Sequence, residues 1–564
     1  MHKTEWILRE CGEKAKRLSV ELGVPLEIAQ VLINRGIQNA DEAHEYLFSS
    51  LDDLHDPYRM AGMKEAVERI EKAIEQREGV FIFGDYDVDG VLSVVILTKA
   101  LQSLGVKTVH YYIPNRLEEG YGIKERYIDF VIKEKAHVVL SVDCGIKATS
   151  FVRRARTHGI DVIITDHHKP GPSLPPALAI LNPEVPGSGY PDKGLAGVGI
   201  VFKLIQALFE KRKMASSLPH YLKLVSIGTI ADVSELRGEN RLFVKYGLKG
   251  LESSSNKGLI RLLEACSLNG REISVGDVGF RIGPRINAAG RMGMADLAVD
   301  LFFSDSSQEI SSIISQLESL NSRRQRIESK IYDQAISLIK RKSLDKRYKL
   351  LALGCEAWHR GVLGIVASRI KDFFYKPVLL FAYEEGKAYG SGRSIRDFSL
   401  IECLDECRDF FLSFGGHSQA VGCETEQNRM GPLKEALNRF VDSRLGEEQL
   451  KRKIEIDTRL DFSDIDPIFV EKYSLLAPFG MGNPKPIFLT RDAEVIAEPQ
   501  KIQRRHCKFL IRHEGRIFEA LAWNREDWTE ILKEGMKIDL VYSLHFSRYL
   551  GEERVSLSVE DIKI

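Results

Sequence analysis

The sequence has no net charge, no paired cysteines and no long hydrophobic run. Its 564 residues contain 80 basic and 80 acidic side chains, so a polyanionic partner has to be bound by local basic patches. None of the eight scattered cysteines forms a C-x-x-C pair, which excludes the usual zinc and dithiol motifs. No run approaches the roughly 20 apolar residues of a membrane span, and the N-terminus lacks the order of a signal peptide. These absences predict a cytoplasmic protein with reduced thiols.

Enough apolar residues are present to build several cores. At 44% apolar content, the chain is predicted to form about three or four domains. From about residue 79 to 235, β-branched runs alternate with helical patterns, which predicts a mostly parallel sheet covered on both faces. The runs are GVFIFGD, VKTVHYYIP, HVVLSVDCG, DVIITDHH and LAILNPE. Ligands of such folds bind at the carboxyl ends of the strands.

The rest of the chain divides into four further segments. Residues 1–60 are predicted to form a polar helical extension, and residues 305–343, without glycine or proline, one long helix or two with a break near Asn321. A second α/β domain begins near residue 348, and a β-rich tail is expected to form a barrel of the oligonucleotide-binding kind. The predicted fold class is α/β, with two α/β lobes joined by a long helix and a C-terminal β-barrel. The predicted domains are 1–60, 61–304, 305–345, 346–450 and 451–564.

Three carboxylates crowd the end of the first predicted strand, in the segment GDYDVDGVLSVV. Asp85, Asp87 and Asp89 alternate along the chain and repel one another unless a cation or a proton neutralises them. Hard divalent cations such as Mg²⁺ or Mn²⁺ prefer oxygen ligands of this kind. A solvated acidic turn and a calcium loop are alternatives, although Ile96 stands where an EF-hand requires glutamate. Gly90 is predicted to let the backbone turn tightly into the following helix.

Aspartates and histidines follow later apolar runs as well. These residues are Asp143 after HVVLSV, Asp166, His167 and His168 after DVIIT, and Asp232 after LVSIGTIA. A single aspartate in this position is usually a helix cap. Three successive βα units that deliver aspartate or histidine to one edge of a parallel sheet predict a polar cluster instead. Together with the carboxylate triplet, they predict a site for two divalent cations, an arrangement suited to phosphate hydrolysis.

These segments resemble the ordered motifs of a known superfamily. GDYDVDG, SVDCG, TDHH and IADV are similar to the four motifs of the DHH phosphoesterases. Further along, RIGPRINAAGRMG, WHRGVLGIVASRI, GSGRS, GGHSQAVG and PFGMGNPKP resemble the RecJ branch, the single-strand-specific 5′ to 3′ DNA exonucleases of bacteria. The resemblance covers about residues 60–564. It implies a DHH domain, a DHH-associated domain and an oligonucleotide-binding barrel.

The resemblance also implies which carboxylates bind which metal. Asp87 and Asp89 are expected to bind separate cations, and Asp143 is expected to bridge them. Asp85 stands where related pyrophosphatases carry a histidine ligand, so it is expected to bind a metal or to support a residue that does. The implied cofactors are two divalent cations, Mn²⁺ or Mg²⁺, and a histidine in the ligand set favours Mn²⁺.

Two histidines and one further aspartate complete the implied site. His167 and Asp232 are expected to bind the metal that Asp89 holds, whereas His168 is expected to face the scissile phosphate. Two cations activate water and stabilise the attacking and leaving oxygens, so no covalent protein intermediate is needed. The implied catalytic set is Asp87, Asp89, Asp143, His167, His168 and Asp232.

Further candidates for substrate binding lie in and near glycine-rich segments. Arginine grips phosphate through its planar guanidinium group, and glycine lets the backbone approach an anion closely. In the RecJ pattern, the second lobe binds the nucleotide end of the strand with its 5′-phosphate. A solvated arginine or a structural histidine is the alternative at each position. The predicted substrate-binding residues are Arg116, Arg281, Arg285, Asn287, Arg291, His359, Ser391, Arg393, Arg396 and His417.

Two basic stretches are predicted to follow a nucleic-acid backbone. Residues 321–349 contain ten lysines and arginines and three acidic residues, a local charge of +7, and a solvated helix face is the alternative. In the tail, basic and aromatic side chains are interleaved, which suits single strands. They are Lys501, Arg504, Arg505, Lys508, Phe509, Arg512, Phe518 and Trp523.

The sequence and its resemblance together predict a cytoplasmic, metal-dependent exonuclease that removes 5′-mononucleotides from single-stranded DNA in recombination and repair. A cleft too narrow for duplex DNA is expected to provide the selectivity. The expected partners of a monomeric enzyme are single-stranded DNA, a helicase and a single-strand-binding protein, with no membrane. Two alternatives stay open: a DHH phosphodiesterase acting on short RNA or cyclic dinucleotides, and a non-catalytic strand-binding replication scaffold.

Overall fold

The computed structural model describes residues 4–115, 118–120, 122–549 and 552–564. The chain begins with β1 (Glu5–Leu8), α1 (Glu13–Leu22), α2 (Leu26–Asn34) and α3 (Ala40–Phe48). This segment is mainly helical, as the spacing of its apolar residues predicts. Of the described helices, none is long and apolar enough to cross a membrane.

The first lobe alternates strands with helices. Its elements are α4 (Met63–Gln76), β2 (Gly79–Gly84), α5 (Val88–Ser103), β3 (Val109–Tyr112), α6 (Ile128–Lys133), β4 (Ala136–Val142), α7 (Thr149–Thr157), β5 (Asp161–Thr165), β6 (Ala179–Leu181), α8 (Gly197–Lys211), α9 (Pro219–Ala231), α10 (Gly238–Gly250), α11 (Lys257–Ala265), α12 (Val275–Asp277), α13 (Gly283–Arg291) and α14 (Ala295–Phe303). The five strands form a parallel sheet in the order β3-β2-β4-β5-β6, which confirms the predicted sheet. Their carboxyl ends therefore lie at one edge.

Three helices form a buried layer over this sheet. α5, α8 and α9 pack against one another, and α5 also contacts β2 and β4. The prediction that LVSIGTIADV is a strand leading to Asp232 is wrong, because this segment belongs to α9. α9 is buried between α5, α8 and α10, and a helix buried on all sides has no polar face to reveal its period.

One continuous helix, α15 (Ser307–Arg341), joins the two lobes and is followed by the short α16 (Leu344–Arg347). Ile313 and Leu317 belong to the core of the first lobe, whereas Ile331 and Ala335 belong to the core of the second. Asn321 is buried where the helix passes from one core to the other, and the helix is not broken there.

The second lobe is built on a mixed sheet. Its elements are β7 (Leu351–Cys355), α17 (Leu363–Phe374), β8 (Val378–Glu384), β9 (Lys387–Arg393), α18 (Leu400–Glu406), β10 (Phe411–Gly416), β11 (Ala420–Glu426) and α19 (Met430–Arg444). The strand order is β10-β11-β9-β8-β7. β7 and β8 are parallel, and the other pairs are antiparallel.

The tail forms the predicted barrel. Its elements are β12 (Lys453–Ile456), β13 (Thr458–Arg459), α20 (Pro467–Ser474), β14 (Phe488–Val495), β15 (Gln500–Ile502), β16 (His506–His513), β17 (Arg516–Ala522), α21 (Trp528–Ile531), β18 (Lys537–Tyr549) and β19 (Glu552–Lys563). β14 pairs with both β18 and β16, which closes the sheet β14-β18-β19-β17-β16.

The N-terminal segment packs against this barrel. β1 pairs in parallel with β12, and the indole N–H of Trp6 donates to Asp561 at 2.9 Å. Leu18 and Ile28 share one hydrophobic core with barrel residues such as Phe509. Residues from the two ends of the chain therefore form a single folded unit.

Candidate metal centre

The first carboxylates lie between β2 and α5. Asp87 caps α5, and its Oδ1 atom accepts a hydrogen bond from the backbone N–H of Gly90 at 3.1 Å. Because α5 begins at Val88, residues 88–96 are helical and cannot form the ligand loop of an EF-hand. The calcium-loop alternative is therefore excluded.

Gly90 allows the start of α5 to pack closely against the backbone of Asp85, and it does not form a turn before the helix. It lies within the first turn of α5, where a Cβ atom would be 2.4 Å from the backbone oxygen of Asp85. The prediction that Gly90 turns the chain into the helix is wrong, since the helix begins two residues earlier. The close approach packs the buried Asp85 segment against the start of the helix.

Asp89 lies on the first turn of α5 and is buried. Its two carboxylate oxygens accept hydrogen bonds from the backbone N–H groups of Gly197, at 2.8 Å, and Val198, at 2.7 Å. These are the first amides of α8, so the positive end of that helix stabilises the carboxylate. Each oxygen keeps a further lone pair for a cation.

Asp143 directly follows β4 and has a left-handed backbone, with φ of 58°. Its buried Oδ1 atom lies 3.1 Å from Nε2 of His167, yet it has no hydrogen-bond partner among the described residues. A carboxylate oxygen and a ring nitrogen this close without a hydrogen bond can both direct lone pairs at one cation. A Cβ atom on Gly197 would lie 2.8 Å from this oxygen, so glycine is required there.

Asp166, which directly follows β5, belongs to none of the groups that could hold a metal ion. Its Oδ2 atom accepts from the backbone N–H of Ile146 at 2.8 Å, and its Oδ1 atom lies 2.8 Å from Nδ1 of His168. Burial lowers the pKa of His168, but the hydrogen bond and charge of Asp166 outweigh it and raise that pKa above its ordinary value. Asp166 thus orients His168 and favours its cationic form.

Asp232 reaches the site from the C-terminus of α9, where it follows the last residue of the helix. The hydroxyl group of Ser234 donates a hydrogen bond to its Oδ2 atom. Its position shows that helices, as well as strands, deliver ligands to the sheet edge.

The acidic residues and histidines form three overlapping groups. In each group, one candidate ligand atom per residue lies within 4.8 Å of the others. The groups are Asp85, Asp87 and Asp143; Asp89, His167 and Asp232; and Asp143, His167 and His168. This convergence combines every residue that the sequence predicts as a metal ligand.

The electrostatics of the cluster fit divalent cations. Burial raises the pKa of Asp89 well above its ordinary value, and the charges of Asp232 and Asp87 raise it further. Burial also raises the pKa of Asp143 well above its ordinary value, with Asp89 and Asp87 adding to the effect. Carboxylates that repel one another in a buried site are stabilised when cations bind between them, and the mixed carboxylate and imidazole donors suit Mn²⁺ or Mg²⁺.

Two predicted substrate-binding residues of the second lobe meet at a helix N-terminus. Ser391 and Arg393 lie two positions apart on β9, so their side chains share one face of the strand. A Cβ atom on Gly364 would lie 2.9 Å from the Arg393 guanidinium and 3.1 Å from the Ser391 hydroxyl oxygen. Gly364 is in the first turn of α17. The N-terminus of a helix is a favourable place for a phosphate group.

The arginines of α13 and its approach contact their own chain. Arg281 lies near Asp277 at 3.7 Å, and Arg285 is paired with Glu318. Arg291 donates to the backbone oxygen of Gly361 at 3.0 Å and thus links the two lobes. The fourth candidate in this segment, Asn287, is half-buried on α13.

Of the four other candidates, His359, Arg396 and His417 lie among the described residues. His359 is half-buried, and its Nδ1 atom accepts from the N–H of Gly361 at 3.1 Å. Burial lowers the pKa of His417, and the charges of Lys169 and His168 lower it further. Arg396 is paired with Glu455 of the barrel unit, and Arg116 lies outside the described residues.

The predicted aromatic surface of the barrel is wrong in part. Phe509 is buried in the barrel core, and Phe518 packs on Phe462 with ring centroids 5.0 Å apart. Trp523 is 55% exposed and can stack on a base. Among the basic residues, Lys501, Lys508 and Arg512 are paired with carboxylates, whereas Arg504 and Arg505 are exposed at the turn before β16.

Sequence reasoning missed three residues that shape the site. The sequence places Asp166 in the polar cluster but does not predict that it orients His168, and it does not single out Gly197. A Cβ atom on Gly290 would lie 2.0 Å from the backbone oxygen of Tyr86, so α13 packs directly on the first carboxylate loop. The NAAGR segment carried a signal for this contact, because glycine inside a helix usually marks a close approach.

Comparisons with known proteins agree with this architecture. Three family descriptions match in succession: "DHH family, N-terminal domain" over residues 79–229, "DHHA1 domain" over 347–443 and "RecJ OB domain" over 456–561. The single-stranded-DNA-specific exonuclease RecJ of Bacillus subtilis strain 168 is 38% identical over 568 residues, which cover 100% of this chain and 71% of the relative.

Solved structures give the same result. RecJ of Thermus thermophilus in complex with Mn²⁺ matches with a TM-score of 0.84 and 30% identity, covering 100% of this chain and 80% of that one. The same protein in complex with Mg²⁺ gives 0.78 and 28%, covering 100% and 78%. With its DHH, DHHA1 and RecJ OB domains in this order, the chain belongs to the RecJ family.

Proposed function

We propose that this protein is a divalent-metal-dependent exonuclease that hydrolyses single-stranded DNA from its 5′ end and releases 5′-mononucleotides. The observation that carries the proposal is the convergence of three candidate ligand groups at the carboxyl edge of the sheet. The groups overlap, because Asp143 belongs to two of them and His167 belongs to two of them. The identity along the whole chain to a single-stranded-DNA-specific exonuclease supports the substrate class.

The cofactor is Mn²⁺ or Mg²⁺, and the chain offers ligands for two ions. Asp85, Asp87 and Asp143 would hold one, and Asp89, His167 and Asp232 the other. When bound, the cations supply Lewis acidity toward water and the scissile phosphate. The protein fixes the ligands beforehand, since α8 holds Asp89 through two backbone hydrogen bonds.

We propose that His168 contacts the scissile phosphate. The contact between Nδ1 and Asp166 fixes the orientation of the ring, and the raised pKa of His168 favours its cationic form, which attracts a phosphate oxygen. Water attacks phosphorus, the bond from phosphorus to the 3′-oxygen breaks, and the departing 3′-oxygen takes up a proton. A cavity of about 260 Å³ beside His168, lined by Lys124 and Lys147, provides positive charge for the adjoining backbone.

We propose that the second lobe determines the 5′ to 3′ direction of degradation. Ser391, Arg393 and the first turn of α17 would bind the terminal 5′-phosphate, because they place a hydroxyl, a guanidinium and helix amides together. The terminal phosphodiester then lies across the cleft at the metal centre. Long strands would continue to the barrel, where Trp523 can stack on a base.

The direct test uses single strands labelled at either end, with Mn²⁺. We expect mononucleotide to be released first from the 5′-labelled end and duplex DNA to be degraded poorly. Release from the 3′ end first would refute the polarity. Unchanged degradation of long strands after removal of residues beyond 450 would refute the role of the barrel in guiding the strand.

The cellular setting is part of the proposal. We propose a cytoplasmic, monomeric enzyme that acts in recombination and repair, with a helicase and a single-strand-binding protein supplying the strand. Pull-down of such partners by the full chain, and its mass in solution, test these points. Asp143→Ala with undiminished Mn²⁺-dependent hydrolysis would refute the assigned centre, whereas a wild-type protein that binds single strands without hydrolysing them would favour the scaffold alternative.

A further inference from the structure

A second cavity lies at the opposite end of the helices that hold the metal centre. α5 carries Asp89 on its first turn and reaches the cavity with Lys99 and Ser103, about 15 to 21 Å away along its axis. α8 binds Asp89 with its first amides and lines the cavity with Phe209 near its other end. α9 begins at the cavity and ends at Asp232. The cavity is therefore separate from the proposed active site.

The cavity is positively charged. Lys99, Lys223 and His220 line it, and none of the described lining residues is acidic. The N-termini of α9 and α11 also meet there, through Tyr221 and Asn256, so helix dipoles add to the positive potential. Burial lowers the pKa of Lys99, and the nearby charge of Asp305 opposes this effect. Asp305 is itself 3.6 Å from Lys257.

The lysines can accept a further partner. The ammonium group of Lys223 donates to the backbone oxygen of Ser253 at 2.9 Å, which uses one of its three N–H bonds. The ammonium group of Lys99 lies 5.9 Å from the ring of Phe303. Desolvated ammonium groups beside serine hydroxyls such as Ser103 and Ser217 suit an anion.

The remainder of the cavity is apolar. Phe209 and Tyr221 pack edge to face, with ring centroids 5.7 Å apart, and Met214 and Leu224 complete the wall. A phosphate ion alone would leave this wall without a contact, whereas a nucleobase would cover it. The volume is about 250 Å³, so the cavity suits one nucleotide and not an oligonucleotide.

We infer that this cavity is a binding site for a nucleoside monophosphate, with the phosphate group at Lys99 and Lys223 and the base against Tyr221 and Met214. Nucleoside monophosphates are the product class of the proposed reaction, and that part of the inference rests on the proposed function. Because α5, α8 and α9 all run from the cavity to the metal centre, a nucleotide bound there contacts the helices that position the ligands.

The test measures binding of dAMP to the full chain in EDTA, where the metal centre cannot recruit the phosphate through a cation. Isothermal titration is expected to show binding at this cavity in wild type and to retain it in Asp143→Asn and in Arg393→Gln, which disables the proposed 5′-phosphate pocket. Adenosine and inorganic phosphate are expected to bind at least ~10-fold more weakly, since each lacks half of the contacts. Phosphate that binds as tightly as dAMP would reduce the site to a simple anion site and overturn the inference.

The variant Lys99→Met/Lys223→Met is expected to lose dAMP binding by ~10-fold or more, while Lys211→Met, an exposed lysine on α8, retains it. Exonuclease activity without added nucleotide should be unchanged in both. Undiminished binding in the double variant, or loss of binding in Asp143→Asn, would place dAMP elsewhere.

A covalent readout covers the case in which the double variant does not fold. Irradiation of wild type with 8-azido-dAMP in EDTA is expected to label the peptides that contain Met214 or Tyr221. Labelling confined to the second lobe or to the metal-centre peptides would overturn the inference. The exonuclease function is tested separately by the release of mononucleotides with Mn²⁺. Nucleotide binding in EDTA does not depend on hydrolysis, so either proposal can fail without the other.

Discussion

Asp166 fixes His168 through two hydrogen bonds to one oxygen. The backbone N–H of His168 donates to Oδ1 of Asp166 at 3.0 Å, and the ring nitrogen Nδ1 lies 2.8 Å from the same atom. The other oxygen is held by the backbone N–H of Ile146. The carboxylate is fully buried, so the ring of His168 is oriented by a rigid partner.

Asp166→Asn is therefore expected to reduce kcat by ~10²-fold or more, because His168 loses its anionic partner and its defined orientation. Manganese binding should be unaffected, since Asp166 belongs to none of the three ligand groups. Single-turnover hydrolysis and calorimetric titration with Mn²⁺ measure the two effects. The exposed Asp129 provides the control, and Asp129→Asn should behave as wild type. A loss of bound Mn²⁺ in Asp166→Asn would contradict the positioning role.

Asp143→Asn is expected to stabilise the metal-free protein while it abolishes activity. Burial, with repulsion from Asp89 and Asp87, raises the pKa of Asp143, so the folded state binds its proton more tightly than the unfolded state does. The stability cost of ionising Asp143 grows as pH rises above its unfolded pKa, and the advantage of asparagine grows with it. In EDTA the variant should melt at a higher temperature, by about 2–4 °C for each kcal/mol of relieved repulsion.

With Mn²⁺, wild type should melt at a higher temperature than Asp143→Asn, because the cation stabilises wild type and has little effect on the variant. Thermal melts at pH 6 and pH 8, with EDTA or Mn²⁺, give the comparison. Equal melting temperatures in EDTA at both pH values would show that the carboxylates do not repel one another in the free protein.

The sequence predicted the sheet and the convergence of the candidate metal ligands at its edge, for a physical reason. A parallel strand buried on both faces is a continuous β-branched run, and the polar residue that ends it lies at a defined edge. β2, β4 and β5 follow this rule, and Asp87, Asp143 and His167 lie close to their ends.

Other features could not be read from local patterns. The approach to Asp232 is apolar throughout because α9 is buried on all sides, so it looked like a strand. Alternation along β16 indicates a barrel strand but not which face is inward, and Phe509 faces the core. The packing of residues 5–48 on the barrel joins segments more than 400 residues apart, which no local periodicity encodes.

Gly290→Ala is expected to disturb the metal centre without touching a ligand. The added Cβ would lie 2.0 Å from the backbone oxygen of Tyr86, which cannot move without shifting Asp85 and Asp87. We expect a loss of ~1–3 kcal/mol in stability and weaker Mn²⁺ binding. Gly279→Ala is the matched control, because nothing lies within 4 Å of its added Cβ. If both variants bind Mn²⁺ and melt as wild type does, α13 does not support the carboxylate loop.

Arg393→Gln is expected to remove the preference for a 5′-phosphate. A charge-assisted hydrogen bond to phosphate contributes about 1.5–3 kcal/mol, so kcat/KM on 5′-phosphorylated strands should fall by ~10- to 100-fold. Strands with a 5′-hydroxyl should be much less affected. Arg396→Gln serves as the comparison, because Arg396 pairs with Glu455 and does not lie with Ser391 and Arg393. A larger effect of Arg396→Gln would indicate that the 5′-phosphate is bound near Arg396 and not by Ser391 and Arg393.

Trp523→Ala is expected to weaken the binding of long strands and to leave the binding of short strands unchanged. Trp523 is 55% exposed on the barrel and packs edge to face on His506, with centroids 4.8 Å apart, so its indole is presented on a supported surface. Stacking on a base contributes about 1–3 kcal/mol, so KM for a 30-nucleotide strand should rise ~5- to 100-fold. A trinucleotide is too short to span from the cleft to the barrel, and its KM should not change. Ile517→Ala, which also removes an exposed apolar side chain from the barrel, separates stacking from general hydrophobic contact. Equal effects of the two substitutions, or an equal effect of Trp523→Ala on both substrates, would show that the strand does not stack on Trp523.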